Sequence, residues 1–175
     1  TYFQVFNALI NDPRLIEAAK KYGYRIKYVL HPIVSAQVND FDKNDYVDII
    51  PAVGDMSYET MFRESSLMVT DFSGIQFDFA YMRKPLVYLH HKDIPQHYEE
   101  GTFFYDTMAF GEIAHDNDEL IDLLCEYMAS GCKMKEEYVR RADDFFYYND
   151  HNNCKRIYDT MIEYQEKILL PYRQK

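Results

Sequence analysis

Tryptophan is absent from this 175-residue chain, cysteine occurs three times, and glycine and proline occur six times each. Cys125, Cys132 and Cys154 are odd in number and share no C-x-x-C spacing. That excludes a disulfide framework and a zinc site of ordinary spacing, and it predicts ordinary thiols in the reducing cytoplasm. No apolar run approaches the roughly 18 residues of a membrane-spanning helix. The N-terminal Thr1-Tyr2-Phe3-Gln4 lacks the charged and apolar regions of a secretory signal. No internal repeat or low-complexity segment occurs. Basic residues are the scarce charge: 19 Lys and Arg stand against 29 Asp and Glu, a formal net charge of −10. With no dense Lys/Arg cluster, nucleic acid is excluded as a partner, and the chain itself offers no strong electrostatic grip on an anionic membrane.

What is present is a 47% apolar composition with 17 Tyr and 12 Phe. A chain of this length buries one sizeable core, so residues 1–175 are expected to form a single domain with an aromatic-rich interior. The stretch from Leu67 to Lys84 organises the rest. Leu67–Val69 is a short apolar run fit for a buried parallel strand, and Thr70–Gly74 is a polar turn. From Ile75 the apolar positions Phe77, Phe79, Ala80 and Met82 fit a helix, which Lys84-Pro85 closes before a second apolar run, Leu86–Leu89. The unit is strand, tight turn, helix, strand. A Ser-Gly turn leading into a helix offers unpaired backbone N–H groups to a phosphate, with Ser73 adding a hydroxyl and Gly74 removing a side chain. The alternative is that Ser73 only caps the helix and Gly74 only permits the turn.

The flanking segments follow the same alternation. Asn11-Asp12-Pro13 starts a helix with Asp12 as its cap, Leu15, Ile16, Ala18 and Ala19 as its apolar face and Gly23 as its end. Arg25–Leu30 reads as a strand whose end bears His31-Pro32, on the edge where α/β sheets bind ligands; a histidine packed in a turn is the other reading. Tyr46–Ile50 is a short strand, Pro51–Asp55 a loop, and Met56–Ser65 a helix capped by Asp55 or Ser57. Asn117–Ala129 is an amphipathic helix with Leu120, Ile121, Leu123 and Leu124 inward, and Lys133–Phe146 and Asn153–Leu169 are two closing helices. The predicted fold is α/β, a Rossmann-like parallel sheet of about five strands flanked by helices. The polar stretch from His90 to Gly101 holds three His and three acids, but its spacing matches no defined metal site, so no metal is expected.

The run Val69-Thr70-Asp71-Phe72-Ser73-Gly74-Ile75-Gln76-Phe77-Asp78-Phe79-Ala80, followed by Lys84-Pro85, closely resembles the signature of the CDP-glycerol glycerophosphotransferase family, the teichoic-acid primases and polymerases. Members usually read Thr-Asp-Tyr-Ser-Ser there, so Phe72 and Gly74 are departures. His31-Pro32 resembles a recurrent family motif implicated in donor binding and catalysis. Asp93, Tyr98 and Gly101-Thr102-Phe103-Phe104-Tyr105-Asp106 resemble a further run, with Thr102 inserted and Glu100 in place of the customary Arg. Phe110-Gly111-Glu112-Ile113 resembles a segment ahead of the last short strand, and Asp150-His151 a turn before the closing helix.

The resemblance implies the C-terminal, donor-binding half of a two-domain GT-B architecture, lacking its first strand and the N-terminal acceptor domain. It implies His31 as the catalytic residue and Thr70, Asp71, Ser73, Gly74, Asp78, Asp93 and Asp106 as donor-binding residues. CDP-glycerol is then the donor substrate, with no cofactor and no metal. The acceptor is a lipid-linked polyol phosphate met through the missing domain, at the cytoplasmic membrane face. Rival readings are a ribitol-phosphate or UDP-sugar transferase domain, or a non-catalytic interaction fragment.

Overall fold

The computed structural model describes residues 1–51, 57–94, 101 and 103–173. The expected cap Asp55, the helix start at Met56, and the family-like positions Tyr98, Glu100 and Thr102 lie outside the described residues, as do His97 and Glu99. The chain falls into two compact units, Thr1–Ala142 and Asp143–Lys175, each treated by itself below.

The first unit opens with two helices. In α1 (Tyr2–Ile10) the Thr1 hydroxyl accepts from the Gln4 amide, a capping box the sequence reading did not anticipate. In α2 (Pro13–Tyr22) the Asp12 carboxylate accepts from the Arg14 amide at 2.8 Å, and Gly23 ends the helix at φ 77°, as the Asp-Pro and Gly signals predict. The strands are β1 (Ile26–Val29), β2 (Val47–Ile50), β3 (Met68–Thr70), β4 (Leu86–Leu89) and β5 (Gly111–Ala114). All pairings between them are parallel, with Ile26 opposite Val47, Thr70 opposite Tyr88, and Leu86 opposite Gly111. The five expected strands are present, divided into a pair β1-β2 and a triple β3-β4-β5. A 3₁₀ turn, Pro32–Gln37, follows β1, and the short helix α3 (Tyr58–Glu64) precedes β3. Then come α4 (Ile75–Tyr81), α5 (Tyr105–Met108), α6 (Asn117–Ala129) and α7 (Glu136–Phe145).

Every residue of β4 is buried, the mark of a parallel strand covered on both faces. Alternation along it decides what covers which face. Val87 and Leu89 pack with Leu15, Ala18 and Ala19 of α2 and with Leu120, Ile121, Leu124, Tyr127 and Met128 of α6. Tyr88 points the other way, where its hydroxyl donates to the Gln76 side chain of α4 at 2.8 Å. Helices on both faces of parallel strands make the fold Rossmann-like. Each fully buried Leu or Ile in this layer contributes about 1.5–3 kcal/mol.

Lys84 ties α3 to the turn before β4. Its ammonium donates to the carbonyls of Phe62, Arg63 and Ser65 at 2.6, 2.9 and 2.7 Å, satisfying the last turn of α3. Burial lowers its pKa accordingly. The preceding Arg83 adopts φ 57°, so the chain reverses there and Pro85 starts the approach to β4.

The second unit contains α8 (Asn153–Tyr164), a π-type segment Gln165–Leu169 and a last turn α9 (Leu170–Arg173). Where one continuous helix is expected over 153–169, the hydrogen bonding widens after Tyr164. The Asp150-His151 turn is held by the Arg156 guanidinium, which pairs with Asp150 and lies over the Tyr148 ring at 3.6 Å. That guanidinium keeps the Asp150 carboxyl well below the usual carboxylate range.

Candidate functional site

The candidate site is built on the turn between β3 and α4. Thr70, the last residue of β3, is buried beside Tyr88, and the chain then comes to the surface at Asp71. The carbonyls of Ser73 and Gly74 accept from the amides of Gln76 and Phe77, which starts the helix. The Ser73 hydroxyl has no hydrogen-bond partner among the described residues, and no side chain caps α4. Gly74 lies at φ −63°, a conformation open to any residue, and a Cβ there would meet nothing within 4 Å. Neither half of the structural alternative applies: Ser73 does not cap, and the backbone does not require Gly74. The amides of Ser73, Gly74 and Ile75 likewise have no backbone partner among the described residues. The turn therefore presents a hydroxyl and consecutive N–H donors beside open space, a constellation suited to an oxyanion.

An aromatic cluster fixes the turn from beneath. Phe72 stacks on His90, the residue after β4, with centroids 4.1 Å apart and planes at 14°. Tyr105 sets its ring perpendicular to both, at 5.5 and 4.7 Å. The Gln76 side-chain amide donates to the Tyr105 hydroxyl at 3.2 Å, and the Phe110 amide donates to the Tyr88 hydroxyl at 3.3 Å. This network joins β4, α4 and α5, and burial pushes the Tyr88 phenol up. Sequence reasoning missed it because its members are far apart in the chain.

His90 is 8% exposed, and its Nε2 has no hydrogen-bond partner among the described residues. Burial lowers its pKa, and nearby His115 adds to the effect, against the opposing influence of Asp71 and its backbone. The folded protein thus keeps this imidazole neutral where the unfolded chain binds a proton. As pH falls below the unfolded value of about 6.5, stability is lost until the lower folded value is reached. Denaturant melts at pH 7.5 and 5.5 are expected to show the loss, and His90→Gln to reduce it. An unchanged pH slope in that variant would assign the dependence to other groups.

His31 follows β1 and is exposed at the N-terminus of the 3₁₀ turn, which its side chain caps. Its Nδ1 accepts from the Ile33 amide at 3.3 Å, while the Ser35 hydroxyl donates to its carbonyl. With Nδ1 accepting, Nε2 is the ring nitrogen left to donate. Thr70, Asp71, Ser73 and Gly74 share one turn, and the Asp71 backbone is hydrogen-bonded to His90. Asp78 is exposed on α4 and Asp106 is exposed in the first turn of α5. Asp93 is exposed two residues past His91, whose Nδ1 accepts its amide at 3.1 Å. The adjacent His90 and His91 therefore serve different partners. Among the described residues no three His, Cys, Asp or Glu side chains are placed to hold a metal ion.

Parallel strands with helices on both faces make a Rossmann-like α/β domain, and the β3–α4 turn lies at a strand's C-terminal end, the edge where such sheets bind ligands. The chain belongs to the CDP-glycerol:poly(glycerophosphate) glycerophosphotransferase family, whose model matches residues 1–163. It is 41% identical over 162 residues to the minor teichoic acid biosynthesis protein GgaB of Bacillus subtilis (strain 168), a match that covers 93% of this chain. The chain spans about a fifth of that relative's length, 18%. Among the described residues, no helix is long and apolar enough to cross a membrane.

Proposed function

We propose that the chain is the donor-binding domain of an enzyme that transfers glycerol phosphate from CDP-glycerol to a lipid-linked polyol-phosphate acceptor in the synthesis of a teichoic-acid-type polymer. The observation that supports this most directly is the turn from Ser73 to Ile75, whose hydroxyl and amides lack partners among the described residues. Family membership supplies the ligand: a diphosphate ester with a cytidine at one end.

In the reaction, an acceptor hydroxyl oxygen attacks the phosphorus that bears glycerol. The new P–O bond forms as the anhydride P–O bond opposite it breaks, and CMP leaves with the bonding electrons. The hydroxyl proton passes to a base supplied by the acceptor-binding part of the whole protein. Charge accumulates on the bridging oxygen and the departing phosphate, where the Ser73 hydroxyl, the Ser73–Ile75 amides and the His31 Nε2–H donate. Thr70 and Asp71 hold the turn, and the exposed carboxylates Asp78, Asp93 and Asp106 serve the hydroxyls of the donor. Catalysis takes place at the cytoplasmic face of the membrane, where the lipid-linked acceptor is presented.

Calorimetric titration with CDP-glycerol, against CMP, CDP-ribitol and UDP-glucose, with and without Mg²⁺, tests the reading. Saturable binding that prefers cytidine and is indifferent to Mg²⁺ is the expected result. Preference for UDP-glucose overturns the donor assignment, and preference for CDP-ribitol changes the polyol. No binding by the whole protein at millimolar ligand would reduce the turn to a structural element.

A further inference from the structure

His90 is the first residue past β4, and the sheet still holds its backbone: its amide donates to the Ala114 carbonyl at 2.9 Å. That fixes the Cα from which the ring projects. The ring then meets two consecutive residues of the β3–α4 turn. One face stacks on Phe72. The ring is also hydrogen-bonded to the Asp71 backbone, a contact that favours the protonated imidazole. A carbonyl acceptor has that effect and an N–H donor the opposite one, so the imidazole donates and the Asp71 carbonyl accepts. Since Nε2 has no hydrogen-bond partner among the described residues, the donor is Nδ1.

Packing alone does not need this nitrogen. A phenyl group would fill the same space, keep the stack and leave no buried Nε2 without a partner. What histidine adds is the bond to Asp71. The adjacent His91 uses Nδ1 the opposite way, accepting from the Asp93 amide at 3.1 Å. A carbonyl held at Asp71 fixes the plane of the Asp71–Phe72 peptide, and because that peptide is trans it sends the Phe72 N–H away from the ring. The next three amides, those of Ser73, Gly74 and Ile75, therefore follow an anchored plane. Tyr105, perpendicular to the His90 ring at 4.7 Å and bonded to the Gln76 side chain at 3.2 Å, ties the same ring to α4.

We propose that His90 is a positioning residue for the Ser73–Ile75 turn: its Nδ1–H holds the Asp71 carbonyl and its face holds Phe72, so that the three amides are set in direction before any ligand arrives. An ordered turn spares a ligand the ordering cost that a loose one would add. Being buried, His90 acts through the turn and not by contact with what the turn binds. The ligand's identity rests on the donor reading above, whereas the orienting role can be read without a ligand.

Two variants take the ring and the bond apart. His90→Phe keeps the face and loses the N–H, while His90→Asn keeps an N–H donor close to the place of Nδ1 and loses the face. His90→Asn leaves a cavity and is expected to melt at a lower temperature than His90→Phe. It is nonetheless expected to bind CDP-glycerol at least about 3-fold more tightly than His90→Phe, whose affinity falls at least about 10-fold below the parent's. Affinity that follows the melting temperature across the two variants overturns the proposal, because a merely structural role has that signature. The ligand-free chain gives a second readout. Order parameters of the Ser73, Gly74 and Ile75 amides, from nitrogen-15 relaxation, are expected at about 0.85 in the parent and below about 0.7 in His90→Phe. Nitrogen-15 spectra of the parent's imidazole are expected to place the proton on Nδ1. Equal order parameters in the two chains overturn the proposal, as does a proton on Nε2. Reduced order parameters in His90→Phe, with a parent that binds no CDP-glycerol, would uphold the positioning role and remove the donor reading instead.

Discussion

Replacing Gly111 by alanine lowers the thermal midpoint by about 6–12 °C, the equivalent of at least about 3 kcal/mol for a chain of this size. A Cβ built on Gly111 lies 1.8 Å from the Leu86 carbonyl oxygen and 2.6 Å from its carbon. Both are backbone atoms of the buried central strand, so no side chain can rotate away. The glycine does not have a positive φ, and the cost is therefore steric rather than conformational. Relief requires β5 to move off β4, loosening a register that runs from Leu86–Gly111 to Leu89–Ala114. Since β4 leads directly into His90, the displacement also reaches the stack beneath the candidate site. Gly74→Ala is the matching control: with φ −63° and open space around the added methyl, its midpoint should stay within about 2 °C of the parent or rise slightly. Circular dichroism melts of the two variants decide the matter. A shift below about 2 °C for Gly111→Ala would mean that β4 and β5 are not packed as closely as described.

The parts of the fold legible in the sequence are those fixed by neighbouring residues. The helix over Asn117–Ala129 has the predicted bounds because Asp116 caps it by accepting from the Glu119 amide, a signal contained in four residues. The helix from Pro13 is equally local. β3 begins one residue later than expected and includes Thr70, because pairing with Tyr88 extends it past the apolar run. α1 was unreadable as an element, since its apolar face of Phe3, Phe6 and Ile10 is recognisable only against Tyr28 and Phe41 of the first strand pair. The division of the strands into two and three was equally hidden, because strand pairing is a long-range choice. At the site the turn was legible and its support was not. The Tyr105 hydroxyl is 29 residues from Gln76, and neither residue is conspicuous alone. His90, read only as one of a crowd of polar residues, is the ring on which Phe72 rests.

If His31 and Ser73 hold the donor as proposed, the double substitution His31→Ala, Ser73→Ala weakens CDP-glycerol binding about 100-fold or more, since two hydrogen bonds to a charged phosphate would be lost at about 1.5–3 kcal/mol each. Stability changes far less. Ser73 donates nothing among the described residues, and the His31 ring accepts one exposed 3.3 Å bond as the cap of a short turn. Loss of that cap costs about 1 kcal/mol, or roughly 2–4 °C. The separation between the two readouts is what identifies the residues as ligand-directed: equal loss of fold and binding would make them structural. The single variants sharpen the geometry. Two groups on one phosphate are coupled, so the double variant should lose less than the sum of the singles, whereas strict additivity would place His31 and Ser73 on separate parts of the donor. His31→Gln keeps a side-chain N–H donor but cannot titrate. Recovery of binding in that variant would assign His31 a donor's role in holding phosphate, and continued loss would tie its contribution to the imidazole ring itself.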